Sequence, residues 1–471
     1  MFIHLHRNRE EKYLYQQIYE GIKQAILQRK LVLNEKLPSK RQLANDLQVS
    51  VNSVRFAYEQ LLAEGYIYAV ERQGYFVEDI KLFDLDESVM NAFPTSLKEL
   101  QVDRSDWISF SHMNTNSELF PFKNWTKHQL KVVDTYLPQL SELPEPQGPY
   151  VVRESIAKLI QSTRGVKCEP EQIIIHSTSQ GLLEQFIFLQ PKQAVFALEN
   201  PGYARYYNLL QRHNRDVEII PIDKNGIVVE ALSIGQSKYC ITTPSHQFPT
   251  GKIMPVSRRI ELLNWALERD DRYIIEDDYD SEFKYKTDNI PSLQSFDINQ
   301  RVIYMGTFSK TLLPGMRICY MVLPPKLLRK YKKYFSALIQ PANLFALYTL
   351  HSFIDSGQYE KHVRKMNNYY EKVRTELLKK LTQRFGDKLH ITNIPAGLHF
   401  LVKVETKKSY DQIEVDLQKL KLELYTIRRF LIEDDPDYIQ SRYIIIGFAN
   451  LKEEQMDEAI VRLQKALFEK V

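Results

Sequence analysis

From Tyr13 onward apolar residues recur at three- and four-residue spacing, with Leu14, Ile18, Ile22, Ala25 and Ile26 on one face. That spacing predicts a helix of about sixteen residues. Pro38–Ser39 starts a second, short helix, capped by Ser39 and facing inward with Leu43, Ala44 and Leu47. Ser50 caps a third helix, Val51–Glu64, which ends at Gly65, a residue that tolerates the left-handed turn past a helix end. Two β-rich runs follow, Tyr66–Val70 and Tyr75–Val77, separated by Glu71–Arg72–Gln73–Gly74; they predict a hairpin with a polar tip.

Residues 79–106 break the periodicity and hold seven acidic residues against three basic ones. A like-charged stretch with so little apolar surface cannot pack as a domain. It reads as a linker between a unit at 1–78 and a larger one at 107–471. In the larger unit helical patterns alternate with β-rich runs at Ile173–Ile175, Ala194–Ala197, Val217–Ile220, Tyr239–Thr242, Tyr273–Ile275, Val302–Met305 and Ile318–Val322. This alternation predicts an α/β fold with a mainly parallel, doubly wound sheet. Ligands of such sheets bind where loops leave the carboxyl ends of strands.

Composition narrows the class. With 471 residues and 44% apolar content the chain holds two or more domains. Its apolar runs are far short of a membrane span, and the start, MFIHLHRNREEKY, has no apolar signal core, so a cytoplasmic protein with no membrane partner is expected. Cys168, Cys240 and Cys319 stand alone, without disulfide or metal-ligand spacing, and no metal is expected. A net charge of +4 is too small to argue for nucleic acid by itself.

Three helices and a hairpin make a winged helix-turn-helix, whose third helix would enter a DNA major groove with its N-terminal residues on base edges. Lys40, Arg41, Ser50, Asn52, Ser53 and Arg55 cluster where phosphates and bases would lie, and Arg72 crowns the wing. Cations and hydroxyls position such a module on phosphate, and Asn or Arg adds base readout. Residues 1–78 carry only 11 Lys and Arg against 9 Asp and Glu, so a small domain with a solvated charged face is the competing reading.

Polar residues sit at the strand ends of the large unit. His176–Ser177–Thr178–Ser179–Gln180 precedes an apolar helix, and a hydroxyl-rich turn at a helix N-terminus is an anion site. Glu199–Asn200–Pro201–Gly202–Tyr203–Ala204–Arg205, Glu276–Asp277–Asp278–Tyr279–Asp280 and Gly306–Thr307–Phe308–Ser309–Lys310 follow three other strands, with Arg317 near the last. Together they suggest one organic phosphate with a reactive carbonyl: pyridoxal 5'-phosphate. Lys310 is expected to form the Schiff base and Asp277 to hold the pyridinium nitrogen protonated. Tyr279 is expected to hydrogen-bond the ring O3', Tyr203 to stack on the ring, and Ser177, Thr178, Ser179, Ser309 and Arg317 to hold the phosphate.

The run from Leu37 to Val77 resembles the GntR-type winged-helix signature, with Val51 where that family usually has arginine. "ENPGYARYY", "TTPSHQFPTGKIMPVSRRIELLNWA", "IIEDDYDSEF" and "GTFSKTLLPGMRICYMVLP" resemble fold-type I aminotransferases. The whole chain is thereby similar to the MocR-type regulators, and within them to the GabR-like group that senses γ-aminobutyrate through bound pyridoxal phosphate. The resemblance implies a smaller C-terminal α+β subdomain, operator DNA as partner and a head-to-tail homodimer. It also implies an effector amine that displaces Lys310 to form an external aldimine. Arg205, Arg429 and His246 are the expected effector residues, with Arg428 the alternative to Arg429.

Two departures bear on catalysis. Phe248 stands where aminotransferases usually carry the asparagine of His-Asn-Pro-x-Gly, and it cannot donate to O3'. Ser177 replaces a usual glycine in the phosphate turn. The expectation is a sensor with at most weak transaminase activity; a working class I aminotransferase with a DNA-binding appendage is the alternative.

Overall fold

The structure is a computed structural model, and residues 5, 13–80, 94–99, 103–285, 290–392 and 396–470 are described. It comprises two compact units, Met1–Val102 and Asp103–Val471. Most of the expected linker, residues 81–93 and 100–102, lies outside the described residues.

In the first unit, helix α1 (Leu14–Leu27) buries Ile18, Tyr19, Ile22 and Ile26, the face its spacing predicts. Helix α2 (Lys40–Leu47) starts where Ser39 Oγ accepts the Gln42 N–H, and α3 (Val51–Ala63) where Ser50 Oγ accepts the Ser53 N–H. Each hydroxyl satisfies an N–H that the helix itself leaves unpaired. Helix α3 stops one residue short of the expected end, with Glu64 as cap and Gly65 at φ +75°. Strands β1 (Ile67–Val70) and β2 (Gly74–Val77) pair antiparallel with Val70 opposite Gly74. Val54, Ala57, Tyr58 and Leu61 of α3 fill the core against α1, and the Tyr58 hydroxyl donates to the Pro38 carbonyl at 2.9 Å, tying α3 to the start of α2.

The second unit opens with a two-residue strand, β3 (Ile108–Ser109). An eight-stranded sheet follows from β4 (Ile173–His176), β5 (Phe196–Asn200), β6 (Val217–Asp223), β7 (Gly226–Ile227), β8 (Tyr239–Thr242), β9 (Tyr273–Asp278), β10 (Val302–Thr307) and β11 (Cys319–Val322). Their order is β4-β11-β10-β9-β8-β5-β6-β7. The five from β10 to β6 are parallel, whereas β11 runs antiparallel to both its neighbours and β7 to β6. Stretches such as Tyr239–Ile241 of β8 and Tyr273–Ile275 of β9 read as unbroken apolar runs because both faces of the sheet are packed. Strand β9 continues through Glu276, Asp277 and Asp278, past the expected end at Ile275, because each of these carboxylates has a partner.

The C-terminal part is a smaller α+β layer. Strands β12 (Leu389–Ile391), β13 (His399–Val404), β15 (Tyr425–Thr426) and β16 (Arg442–Gly447) form an antiparallel sheet in the order β12-β13-β16-β15. The two-residue strand β14 (Leu422–Glu423) instead pairs in parallel with β3. Helices Gln358–Phe385 and Met456–Phe468 contribute Leu377, Leu381 and Leu463 to one core with Val402 and Ile444. Ile108 of β3 and Phe110 just past it belong to the same core. Among the described residues no helix is long and apolar enough to cross a membrane.

Candidate cofactor, effector and DNA sites

A cavity of about 220 Å³ lies at the carboxyl ends of β4, β9 and β10. The period-two alternation of β9 sorts its acids. Glu276 accepts the backbone N–H groups of Leu293 and Gln294 at 2.8 and 2.9 Å, and Asp278 takes Arg164 Nε at 2.7 Å and the Tyr304 hydroxyl at 2.5 Å. Asp277, on the opposite side, lines the cavity and accepts the Tyr206 hydroxyl at 2.8 Å. Enclosure by protein raises the Asp277 carboxyl to about pKa 7, although the Tyr206 hydrogen bond pulls it down. Tyr279 lines the cavity two residues on, its phenol held well above its ordinary pKa by enclosure.

Lys310 follows β10 by three residues and faces the same space. Enclosure lowers its amine to about pKa 8, toward the neutral form that a nucleophilic lysine needs. Its Nζ donates to the His112 carbonyl at 2.5 Å. That carbonyl is held close by Gly447, whose N–H donates to the Phe110 carbonyl at 2.8 Å. A Cβ at Gly447 would sit 2.6–2.7 Å from backbone atoms of Ser111 and His112.

At the other end, Thr178 caps helix Ser179–Phe188, its Oγ1 accepting the Gly181 N–H at 2.9 Å, and Thr178, Ser179 and Gln180 line the cavity. A helix N-terminus with its positive dipole end is thus presented to the space. Ser309 and Arg317 complete this end. Arg317 sits at φ +54°, a left-handed conformation uncommon for a residue with a side chain. Ser177 does not line the cavity, contrary to expectation. Thr178 is extended (φ −146°, ψ 146°), so the side chain of Ser177 before it falls on the opposite side, while Ser179 after it already belongs to the helix.

Tyr203 and Arg205 line the cavity, and Phe248 packs edge-on to both Tyr203 and Tyr279. Two expected effector residues do not line it. His246 is buried behind Tyr279 and held by Asp280 at 3.0 Å. Arg429 lies over the Tyr425 ring at 4.3 Å and faces a neighbouring groove. Its neighbour Arg428 is tied to Asp411 and Glu414 at 2.7 and 3.0 Å. His112 links Arg429 to the cavity: burial first, then the charges of Lys310, Arg429 and Arg205, lower its pKa to about 3. The positive charges of Lys310, Arg429 and Arg205 are thus all felt at one neutral imidazole, which makes the surroundings of His112 favourable to an anion. Sequence reasoning missed His112 and Tyr206. Tyr206 lies three residues past Tyr203 on one helix face and could have been found by that spacing; the run "SFSHMN" around His112 offers no such signal.

In the first unit Arg41, Ser50, Asn52, Arg55 and Arg72 are exposed, and Lys40 and Ser53 are half-buried. Lys40 Nζ lies 5.1 Å from the Tyr75 ring centre, and the Ser53 hydroxyl is 2.9 Å from that of Ser50. Val51, at the head of α3, is exposed.

The donor set tests well against pyridoxal phosphate. A half-buried carboxylate with no cationic partner among the described residues, an amine lowered toward neutrality and an anion-seeking helix end with an arginine are the three groups such a cofactor engages. A DNA-binding module joined to an aminotransferase-fold cofactor domain is the class that fold and site define. Residues 107–463 match the family "Aminotransferase class I and II", and residues 14–77 match "Bacterial regulatory proteins, gntR family". The chain belongs to the MocR-type transcriptional regulators, in which these two families are fused, and pyridoxal 5'-phosphate is the cofactor its large unit is built for. It is 34% identical to the HTH-type transcriptional regulator YdeL of Bacillus subtilis (strain 168), with 96% of each chain covered. It is 28% identical to the probable rhizopine catabolism regulatory protein MocR of Rhizobium meliloti, over 96% of this chain and 93% of that one. The fold is similar to that of Pyrococcus horikoshii kynurenine aminotransferase solved with PMP (TM-score 0.69, 23% identity, 79% of this chain and 96% of that one).

Proposed function

We propose that this regulator binds operator DNA through α2, α3 and the wing and senses a small amino acid in the cavity, with γ-aminobutyrate as the first candidate. Lys310 would hold the cofactor, and its lowered amine would let a second amine compete for that place. Asp277 pairs with the ring nitrogen, Tyr279 with the ring hydroxyl, and Thr178, Ser179, Ser309 and Arg317 with the phosphate. When bound, the cofactor supplies an electrophilic carbon for the amine and an electron sink. The effector carboxylate goes to Arg205 and Arg429 across His112, and arginine suits it because its planar fork matches a carboxylate bidentately. The protein works as a cytoplasmic homodimer.

The convergence of Lys310, Arg205 and Arg429 on His112 carries this reading, because it sets carboxylate-seeking charge beside an amine-exchanging lysine. The test is operator binding and promoter output with and without pyridoxal phosphate, across a panel of ω-amino acids and α-amino acids. Equal output under every addition overturns it.

A further inference from the structure

Behind Tyr279 lies a buried cluster with no part in the scheme above. Nδ1 of His246 is 3.0 and 3.2 Å from the two oxygens of Asp280 and 2.9 Å from the Tyr279 hydroxyl. His246 and Asp280 are each only 2% exposed. His399 packs against His246 with ring centres 4.7 Å apart, and its Nε2 is 3.2 Å from the Pro249 carbonyl. Nε2 of His246 is buried without a hydrogen-bond partner among the described residues.

These contacts fix where the protons go. A carboxylate only accepts, so Asp280 selects the tautomer of His246 with hydrogen on Nδ1. A carbonyl only accepts, so His399 carries its hydrogen on Nε2, and burial together with the neighbouring histidines and Lys310 keeps it neutral. With its Nδ1–H committed to Asp280, His246 cannot accept from Tyr279. The phenol keeps its proton, being held well above its ordinary pKa, and must donate in another direction. The open direction is the cavity that Tyr279 lines. An orphaned Nε2 is a cost that structures usually avoid; here it accompanies the one tautomer that turns Tyr279 outward.

We infer that His246, oriented by Asp280, is a positioning residue that makes Tyr279 a hydrogen-bond donor into the cofactor cavity. The inference rests on the cofactor reading above. It has added weight in this chain because Phe248 supplies no second donor beside Tyr279.

The test is a pH titration of the visible band of the lysine-bound cofactor in the reconstituted full-length protein. A donor to the ring oxygen stabilises its anionic form, so losing that donor raises the midpoint. Tyr279→Phe should raise it by about one pH unit or more. His246→Leu should do the same, and the double variant should rise no further than either alone, since both remove one interaction. His246→Asn, whose amide N–H can occupy the Nδ1–H position, should restore the wild-type midpoint. Asp280→Asn tests the same chain of contacts should His246→Leu fail to fold. Losing the Asp280 charge near Lys310 acts to lower the midpoint, whereas freeing the tautomer raises it, and a rise is expected. A folded His246→Leu or Asp280→Asn protein that titrates at or below wild type overturns the proposal, as do additive shifts in the double variant. A midpoint unmoved by Tyr279→Phe also overturns it; if the band is lost in Lys310→Ala, the cofactor reading stands. A band that survives Lys310→Ala overturns both.

Discussion

Tyr206 donates its hydroxyl to Oδ2 of Asp277 across 2.8 Å, and this bond stands between an enclosed carboxylate and full protonation. Replacing Tyr206 with Phe removes the donor without changing the packing of the ring. Asp277 should then titrate higher still, and pyridoxal phosphate should bind more weakly by about 1.5–3 kcal/mol, the range for a hydrogen bond to a charged group. Equilibrium titration of the apoprotein with the cofactor measures this.

The same carboxyl makes the stability of the apoprotein depend on pH. Its folded-state pKa of about 7 lies above its ordinary value of 3.8, so between these limits the native state holds a proton that the unfolded chain has lost. Stability therefore falls as pH rises through this window. Asp277→Asn removes that dependence. The stability of the apoprotein relative to the variant should decline from pH 5 to pH 8, read as the difference in Tm.

On the DNA side, Arg41 and Arg55 are exposed, and among the described residues Arg55 meets Glu59 at 3.9 Å and the Phe56 ring. Exposed pairs of this length contribute little, so the guanidinium is available to nucleic acid. Changing either arginine to Ala should weaken operator binding by about 1–3 kcal/mol in a gel-shift titration at fixed salt, with cofactor binding unchanged.

Lys310→Ala should fold, since an amine facing a polar cavity leaves no apolar void when removed. It should lose the visible band of the lysine-bound cofactor and retain DNA affinity. Promoter output should no longer respond to effector, because no lysine remains to be displaced. Absorbance and reporter output measured together check all three.

Phe248 places an edge-on ring beside Tyr279 where aminotransferases offer a donor amide. Release of keto acid should stay well below about 1 s⁻¹, the slow end of ordinary enzyme turnover, as measured by a coupled assay with excess amine.

Much of this was legible in the chain. Seven runs read as strands all lie in the central sheet, and Asp277, Tyr279, Tyr203 and Lys310 beyond their ends line one cavity because a parallel sheet brings its carboxyl ends together. Strand β7, two residues long, is too short to show a period. Composition marks a hydroxyl-rich turn at 177–179 but not which hydroxyls line the cavity, which here are those of Thr178 and Ser179. His112 could not be found by pattern: it comes from the opening segment of the unit, which packs with the C-terminal layer hundreds of residues away. Arg428 and Arg429 look alike in the chain; only the fold shows that Arg428 is paired with Asp411 and Glu414 while Arg429 lies over the Tyr425 ring.

Gly447 has no side chain, yet it governs how tightly the amine of Lys310 can be held. The strand end at Gly447 and the backbone at Ser111–His112 touch so closely that one methyl group would force them apart. The carbonyl that receives Lys310 would move with them. A glycine on the last strand of the C-terminal layer thereby sets where the partner of a lysine just past the central sheet can stand, and position 447 admits no other amino acid without moving that backbone.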